Sequence, residues 1–221
     1  MTWLLVILAL IGGAILVVSN FGSKYSNSTS YASQAGFTSF DKATATAQTI
    51  QNIIAPLDKR AVKIYGPANG NIEHPNGNYV GIKCANVTLR NSLIDAWFFN
   101  PYGANEGTWD YGFFIRNSPQ GQYRLIISSG RRWNLYNGNN NWVAGNALSD
   151  LNIAQGGSNH LVLYVSGSAA YFYLNEKYIS TLEVGDILGN GDICVGTGFL
   201  SGNVIAGRIT RYDNFTVYSL D

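Results

Sequence analysis

From Val62 onward the chain is cut into short aromatic and β-branched segments, each closed by Gly, Asn, Ser or Pro. That texture is the one of many short strands joined by tight turns. Its sharpest instance is Trp109–Arg116 (WDYGFFIR) followed by Tyr123–Ser128 (YRLIIS). The Asn-Ser-Pro-Gln-Gly-Gln link between them is too short and too rich in turn formers for anything but a hairpin. This antiparallel pair is expected at the middle of a β-sandwich. Further strands are predicted at Val62–Tyr65, Asn78–Val87, Ser92–Asn100, Arg132–Tyr136, Asp192–Thr197 and Arg208–Tyr218, with a loop at Gly66–Gly70 and a turn at Asn137–Asn141. A meander runs from His160 to Leu182. In it Tyr171–Leu174 is apolar or aromatic at every position, as a central strand covered on both sides should be. Charged residues are only 12% of the chain, against roughly 25% in an ordinary soluble domain, which suits polar but uncharged outer faces. The net charge of +1 gives no electrostatic argument for nucleic acid, no Lys/Arg run supplies one locally, and no nucleic-acid partner is expected.

The N-terminal part is different. Residues 3–18 hold no charged side chain, and Met1–Phe21 meets the length of about 20 apolar residues that a membrane-spanning helix needs. No Lys or Arg precedes the run, so it reads as a retained anchor rather than a cleaved signal peptide. Lys24, the nearest charge, leaves the orientation of Met1 open. Residues 22–39 are Ser/Thr/Gly-rich and read as a tether. Ala43, Ala47, Ile50 and Ile54 then recur at helical spacing before Pro56, predicting a short helix, with an edge strand through Thr-Ala-Thr-Ala as the alternative. The expected division is a transmembrane helix at 1–21, a linker with a short helix at 22–61, and an all-β, antiparallel jelly-roll sandwich at 62–221.

That last region resembles the concanavalin A-like, laminin G-like jelly rolls. It is most similar to bacterial extracytoplasmic modules of the glucanase and 3-keto-disaccharide hydrolase group. The resemblance rests on Gly66-Pro67 through Glu73-His74, on Ala85–Arg90, on Trp97–Tyr102, on Glu106–Arg116 and on the closing Tyr212-Asp213-Asn214-Phe215-Thr216-Val217. It implies the fold and leaves activity open, because the same architecture serves lectins, hydrolases and interaction modules.

Glycosidases of this fold need two carboxylates about 5–5.5 or 6.5–9.5 Å apart. The Glu-x-Asp-x-x-Glu arrangement of concanavalin-like glucanases is absent, and Glu106, Asp110 and Asp213 read as turn carboxylates facing water. The two histidines, His74 and His160, have no Gly-x-Ser-x-Gly elbow or cysteine near them. Two Cys and two His, all distant, make no zinc spacing, and no cofactor is expected. Asp186, Asn190, Asp192, Asp213 and Asn214 supply oxygen ligands that allow a structural calcium. Cys84 and Cys194 lie in predicted strands and are candidates for a disulfide, with two buried thiols as the alternative.

Trp109, Tyr111, Tyr123, Arg131, Arg132, Trp133, Tyr136 and Trp142 crowd between residues 109 and 142, either as core or as a binding surface. The binding corner is placed at Arg131, Arg132, Trp133 and Trp142, with Tyr136 in support. There Trp133 would share a strand face with Arg131. The function these features predict is a non-catalytic, membrane-anchored subunit displayed outside the cytoplasm. Its partners would be other protein subunits of an envelope or membrane assembly, and lipid through residues 1–21. The alternatives are a pilin-like filament subunit, a carbohydrate-binding module and, least favoured, a sugar hydrolase.

Overall fold

The structure, a computed structural model, describes residues 61–77, 79–138 and 140–221. The predicted membrane helix, the Ser/Thr-rich tether and the short helix fall outside the described residues. Within them there is no helix, and the chain forms twelve strands. These are β1 (Val62–Glu73), β2 (Gly81–Cys84), β3 (Ser92–Phe99), β4 (Asp110–Ser118), β5 (Gly121–Ser128), β6 (Arg132–Asn137), β7 (Asn141–Ala147), β8 (Ser158–Ser166), β9 (Ala169–Leu174), β10 (Lys177–Glu183), β11 (Asp192–Thr197) and β12 (Ile209–Ser219).

They pair antiparallel in two six-stranded sheets, ordered β1-β12-β3-β8-β9-β10 and β2-β11-β4-β5-β6-β7. The β4–β5 hairpin occupies the third and fourth places of the second sheet, with Phe113 opposite Leu125 and Phe114 opposite Arg124. Strand periodicity does the rest. Tyr111, Phe113 and Ile115 on β4, Tyr123, Leu125 and Ile127 on β5, and Trp133 and Leu135 on β6 point inward. They meet Ile94, Ala96 and Phe98 of β3 and Leu161, Leu163 and Phe172 of β8 and β9 from the first sheet. Flat stacking of Phe98 on Tyr111 (4.7 Å) and of Trp109 on Tyr111 (5.0 Å) fills the centre.

Several expectations need correction. β1 runs for 12 residues through the predicted Gly66–Gly70 loop. It is an edge strand, where Pro67 need not donate, and three register shifts against β12 absorb the Gly/Pro irregularity. β2 is only four residues long, shorter than the predicted Asn78–Val87. β7 was not foreseen, because Asn-Trp-Val-Ala-Gly-Asn-Ala shows no alternation. As an exposed edge strand it needs none. β9 is second from an edge rather than central, and its outward Tyr171 and Tyr173 are half-buried.

Two smaller clusters lie outside the main core. One, on the outer face of the first sheet, gathers Leu93, Val162, Tyr164 and Leu220. On that face Asp95, His160 and Glu176 form a chain of contacts, with His160 Nε2 3.1 Å from Asp95 and Nδ1 3.0 Å from Glu176. Trp97 stacks on the imidazole at 4.6 Å. The other cluster, on the outer face of the second sheet, gathers Phe114, Ile126, Cys194 and Phe199. Cys84 and Cys194 sit opposite each other on β2 and β11 and are joined by a disulfide.

Candidate functional site: a groove on the second sheet

Parity on β5 and β6 sends Arg124 and Ile126, and Asn134 and Tyr136, to the outer face of the second sheet. Over them lies a groove of about 390 Å³, within the range of about 300–1,000 Å³ usual for small-ligand sites. Its floor is Arg124, Ile126 and Tyr136, and one wall is the β11–β12 connection at Gly198, Phe199, Leu200, Ser201 and Val204. Gly77 and Asn140 complete the lining.

The wall is a surface loop held as firmly as a strand. Asp110 is fully buried, and its carboxylate accepts the backbone N–H groups of Gly198 (2.8 Å), Phe199 (2.9 Å) and Leu200 (2.9 Å). Burial pushes the Asp110 pKa up to about 6, against the pull of those three donors and of the Asn203 side chain. Thr108 Oγ1 donates to the Gly202 carbonyl (3.1 Å), and the Ile205 N–H donates to Tyr102 Oη (3.1 Å). Asp110 is therefore not a turn carboxylate facing water. It opens β4 on the outward parity, where the loop's amides replace solvent. Phe199 folds back onto Phe114 (ring centroids 5.0 Å apart) because Gly196 beneath it has no side chain; a Cβ there would stand 2.8 Å from the Phe199 ring.

At the β6–β7 end, Tyr136 pairs with Trp142 across the strands. Trp142 is 61% exposed, an unusual setting for an indole. It lies over Gly145, whose missing side chain makes room: a Cβ there would sit 2.6 Å from Asn134 Oδ1 and 3.2 Å from Trp142 Nε1. Tyr136 and Trp142 thus form an aromatic shelf that continues the floor of the groove outward, with Asn134 beside it.

Arg124 is the residue that sequence reasoning missed. It is 8% exposed, and its Nη2 donates to Asn140 Oδ1 (2.6 Å) and to the Gly138 carbonyl (3.2 Å), while its Cζ stands 5.8 Å from the Tyr136 ring centroid. The signal was present: in Tyr-Arg-Leu-Ile-Ile-Ser the inward set is Tyr123, Leu125 and Ile127, which turns the single cation outward.

The predicted corner is not assembled as one surface. Tyr136 lies on the groove floor and pairs across the strands with Trp142. Trp133 is 4% exposed and packs edge-on against Phe172 of the opposite sheet at 6.1 Å. Arg131 does not share its face, because it lies in the β5–β6 turn with φ of 54° and its Nη1 donates to the carbonyls of Ser149 (3.1 Å) and Leu151 (3.0 Å). Arg132, at the start of β6, is exposed at the end of the strand away from Tyr136. Trp109, Tyr111 and Tyr123 are fully buried in the core.

The remaining candidates are engaged elsewhere. Glu106 pairs with Arg208 (3.1 Å) and Asp213 with Arg211 (3.3 Å). Asp186 accepts from Asn137 (3.0 Å), and Asp192 accepts the N–H groups of Val87 (3.0 Å) and Ile193 (2.7 Å). Among the described residues the one group of clustered metal-capable side chains is Cys84, Asp192 and Cys194, and its two sulfurs are bonded to each other. His74 is buried against Thr210 (2.8 Å) and Thr197 (3.3 Å), and burial lowers its pKa to about 4. No Asp or Glu lines the groove among the described residues.

No protein-family model matches the sequence, and no curated protein is significantly similar to it. Solved structures do match in fold. The carbohydrate-binding module CBM66 from Bacillus subtilis superimposes with a TM-score of 0.53 at 10% identity, over 72% of this chain and 95% of that one. A fructosyltransferase from A. japonicus matches with a TM-score of 0.50 at 9% identity, over 83% of this chain but only 28% of its own. At such identities the likeness is one of fold: the chain is an all-β sandwich of two antiparallel sheets.

Proposed function

We propose that this chain is a glycan-binding module that holds its ligand in the groove on the outer face of the second sheet. The observation that carries the reading is the exposed Trp142 on its Gly145 seat, contiguous through Tyr136 with a groove of small-ligand size. Sugar rings present C–H faces that pack on aromatic planes, while the hydroxyls around them require polar partners at the edge. Asn134, Asn140, Ser201 and Arg124 are placed to supply these. The fold shared with CBM66, itself a carbohydrate-binding module, supports the reading. Among the described residues no carboxylate lines the groove, which favours binding over hydrolysis, since glycoside cleavage needs an acid and a second carboxylate at the bond. In this proposal the module is displayed outside the cytoplasm and retains glycan at a surface.

The test is a glycan microarray probed with the full chain in mild detergent, followed by calorimetry on the strongest hits. The reading expects saturable binding that is lost in Trp142→Ala. Absence of any glycan hit, or binding indifferent to Trp142, overturns it.

A further inference from the structure

Two arginines of this sandwich are buried without a carboxylate among their described hydrogen-bond partners, and they differ in one respect. Arg116 spends its donors on backbone carbonyls: Nε on Arg90, Nη1 on Val184 and Ile187, and Nη2 on Gly167. It is satisfied as a structural clasp. Arg124 is not. Nη2 meets two neutral oxygens, Nε is buried with no acceptor, and Nη1 has no hydrogen-bond partner among the described residues. Lys177, Arg208 and Arg211 on the surface each face an acid, whereas among the described residues no acid pairs with Arg124 on the groove floor. Burial pulls the Arg124 pKa down, as it does that of Arg116. Phe199, Leu200 and Val204 wall the same groove with apolar surface, so an ion pair formed there would be screened less than one on an open face.

Building on the glycan reading, we propose that the ligand bears an anionic group, a uronate carboxylate or a sulfate ester, which pairs with Arg124 while a neighbouring ring rests on Tyr136 and Trp142. The guanidinium fork suits a planar carboxylate in two-point contact and accepts sulfate oxygens equally well. The anion supplies what the folded chain lacks at this point, a negative charge beside a desolvated cation. The wild-type fold holds that place ready, because Asn140 and Gly138 fix Nη2 of a guanidinium whose residue lines the groove.

The full chain is titrated with three probes: an oligogalacturonate, the same oligomer with its carboxyls methyl-esterified, and a sulfated galactan oligosaccharide. The proposal expects at least one acidic probe to bind roughly tenfold or more tighter than the ester, the worth of a charge-assisted hydrogen bond. That preference should shrink as salt is raised. A preference for the uronate alone assigns a carboxylate, and one for the galactan alone assigns a sulfate. Arg124→Gln should erase the preference, and Arg124→Lys, which keeps charge but loses the fork, should retain part of it. Melting curves establish that both variants are folded. The comparison of acid with ester on the wild-type chain decides the matter even if neither is. If neither the uronate nor the sulfated oligomer binds tighter than the ester, the anionic inference falls while a glycan module stands. If none of the three binds but a neutral glycan does, the inference falls alone; if no glycan binds at all, both readings fall.

Discussion

Two tryptophans nine residues apart provide the most direct check of the architecture. Trp133 and Trp142 lie on neighbouring strands of one sheet, but Trp133 is on the inner parity and Trp142 on the outer. Trp133→Ala would empty a core site bounded by Phe172 across the sandwich, where loss of a buried Trp costs about 3–5 kcal/mol. At roughly 2–4 °C per kcal/mol for a domain of this size, the melting temperature should fall by about 6–20 °C. Trp142→Ala removes a ring that is already 61% exposed, so its cost in stability should stay near the ±0.5 kcal/mol of an ordinary surface change. Its cost in binding should be that of a central aromatic anchor, about 2 kcal/mol or roughly thirtyfold in affinity. Differential scanning calorimetry and titration with the best-binding glycan, run on the same two preparations, measure both axes. The reasoning is refuted if the two variants melt alike, or if Trp133→Ala keeps its stability and Trp142→Ala keeps its affinity.

Two further outcomes follow from buried groups. Burial alone would lower the His160 pKa, but the Asp95 and Glu176 carboxylates outweigh it and raise the value to about 9. A raised folded-state pKa means the imidazolium's contribution is complete below about pH 6.5 and is lost as pH rises through about 9. The melting temperature should therefore decline across that interval, and His160→Gln should flatten the decline; an unchanged slope in the variant refutes the assignment. The Cys84–Cys194 bond closes a loop with a sequence separation of 110, for which the chain-entropy model gives about 4.7 kcal/mol. Melting with and without reductant should differ accordingly, and mass analysis after alkylation without reductant should find no modified thiol.

The strands most legible in the sequence are those whose two faces differ in chemistry or whose turns are short. The β4–β5 hairpin, β6, β9, β10, β11 and β12 fall close to their predicted places because alternation and turn residues agree there. β7, and β1 beyond Tyr65, escaped for the opposite reason: both are edge strands with little to bury, so no hydrophobic period marks them. The site was half legible. Tyr136 and Trp142 were recognised as aromatics near an Asn-rich turn, and the structure joins them by cross-strand pairing. Trp133 leaves the expected corner because Arg131, with its left-handed φ of 54°, lies in the turn and not on the strand, which breaks the alternation. Asp110 could not be recognised from its neighbours, since its three partners lie about 90 positions away along the chain.

The way Asp110 holds its loop has a consequence for how such a surface can change. Its carboxylate grips main-chain amides at positions 198–200, which every residue except proline supplies. The side chains those positions present to the groove are not what the carboxylate holds. Substitutions at Leu200, Ser201 and Val204 can thus alter the shape and polarity of the wall while the amide clamp stays closed. Selection, natural or in the laboratory, can act on these positions as on an interchangeable fingertip, with the joint behind it left alone.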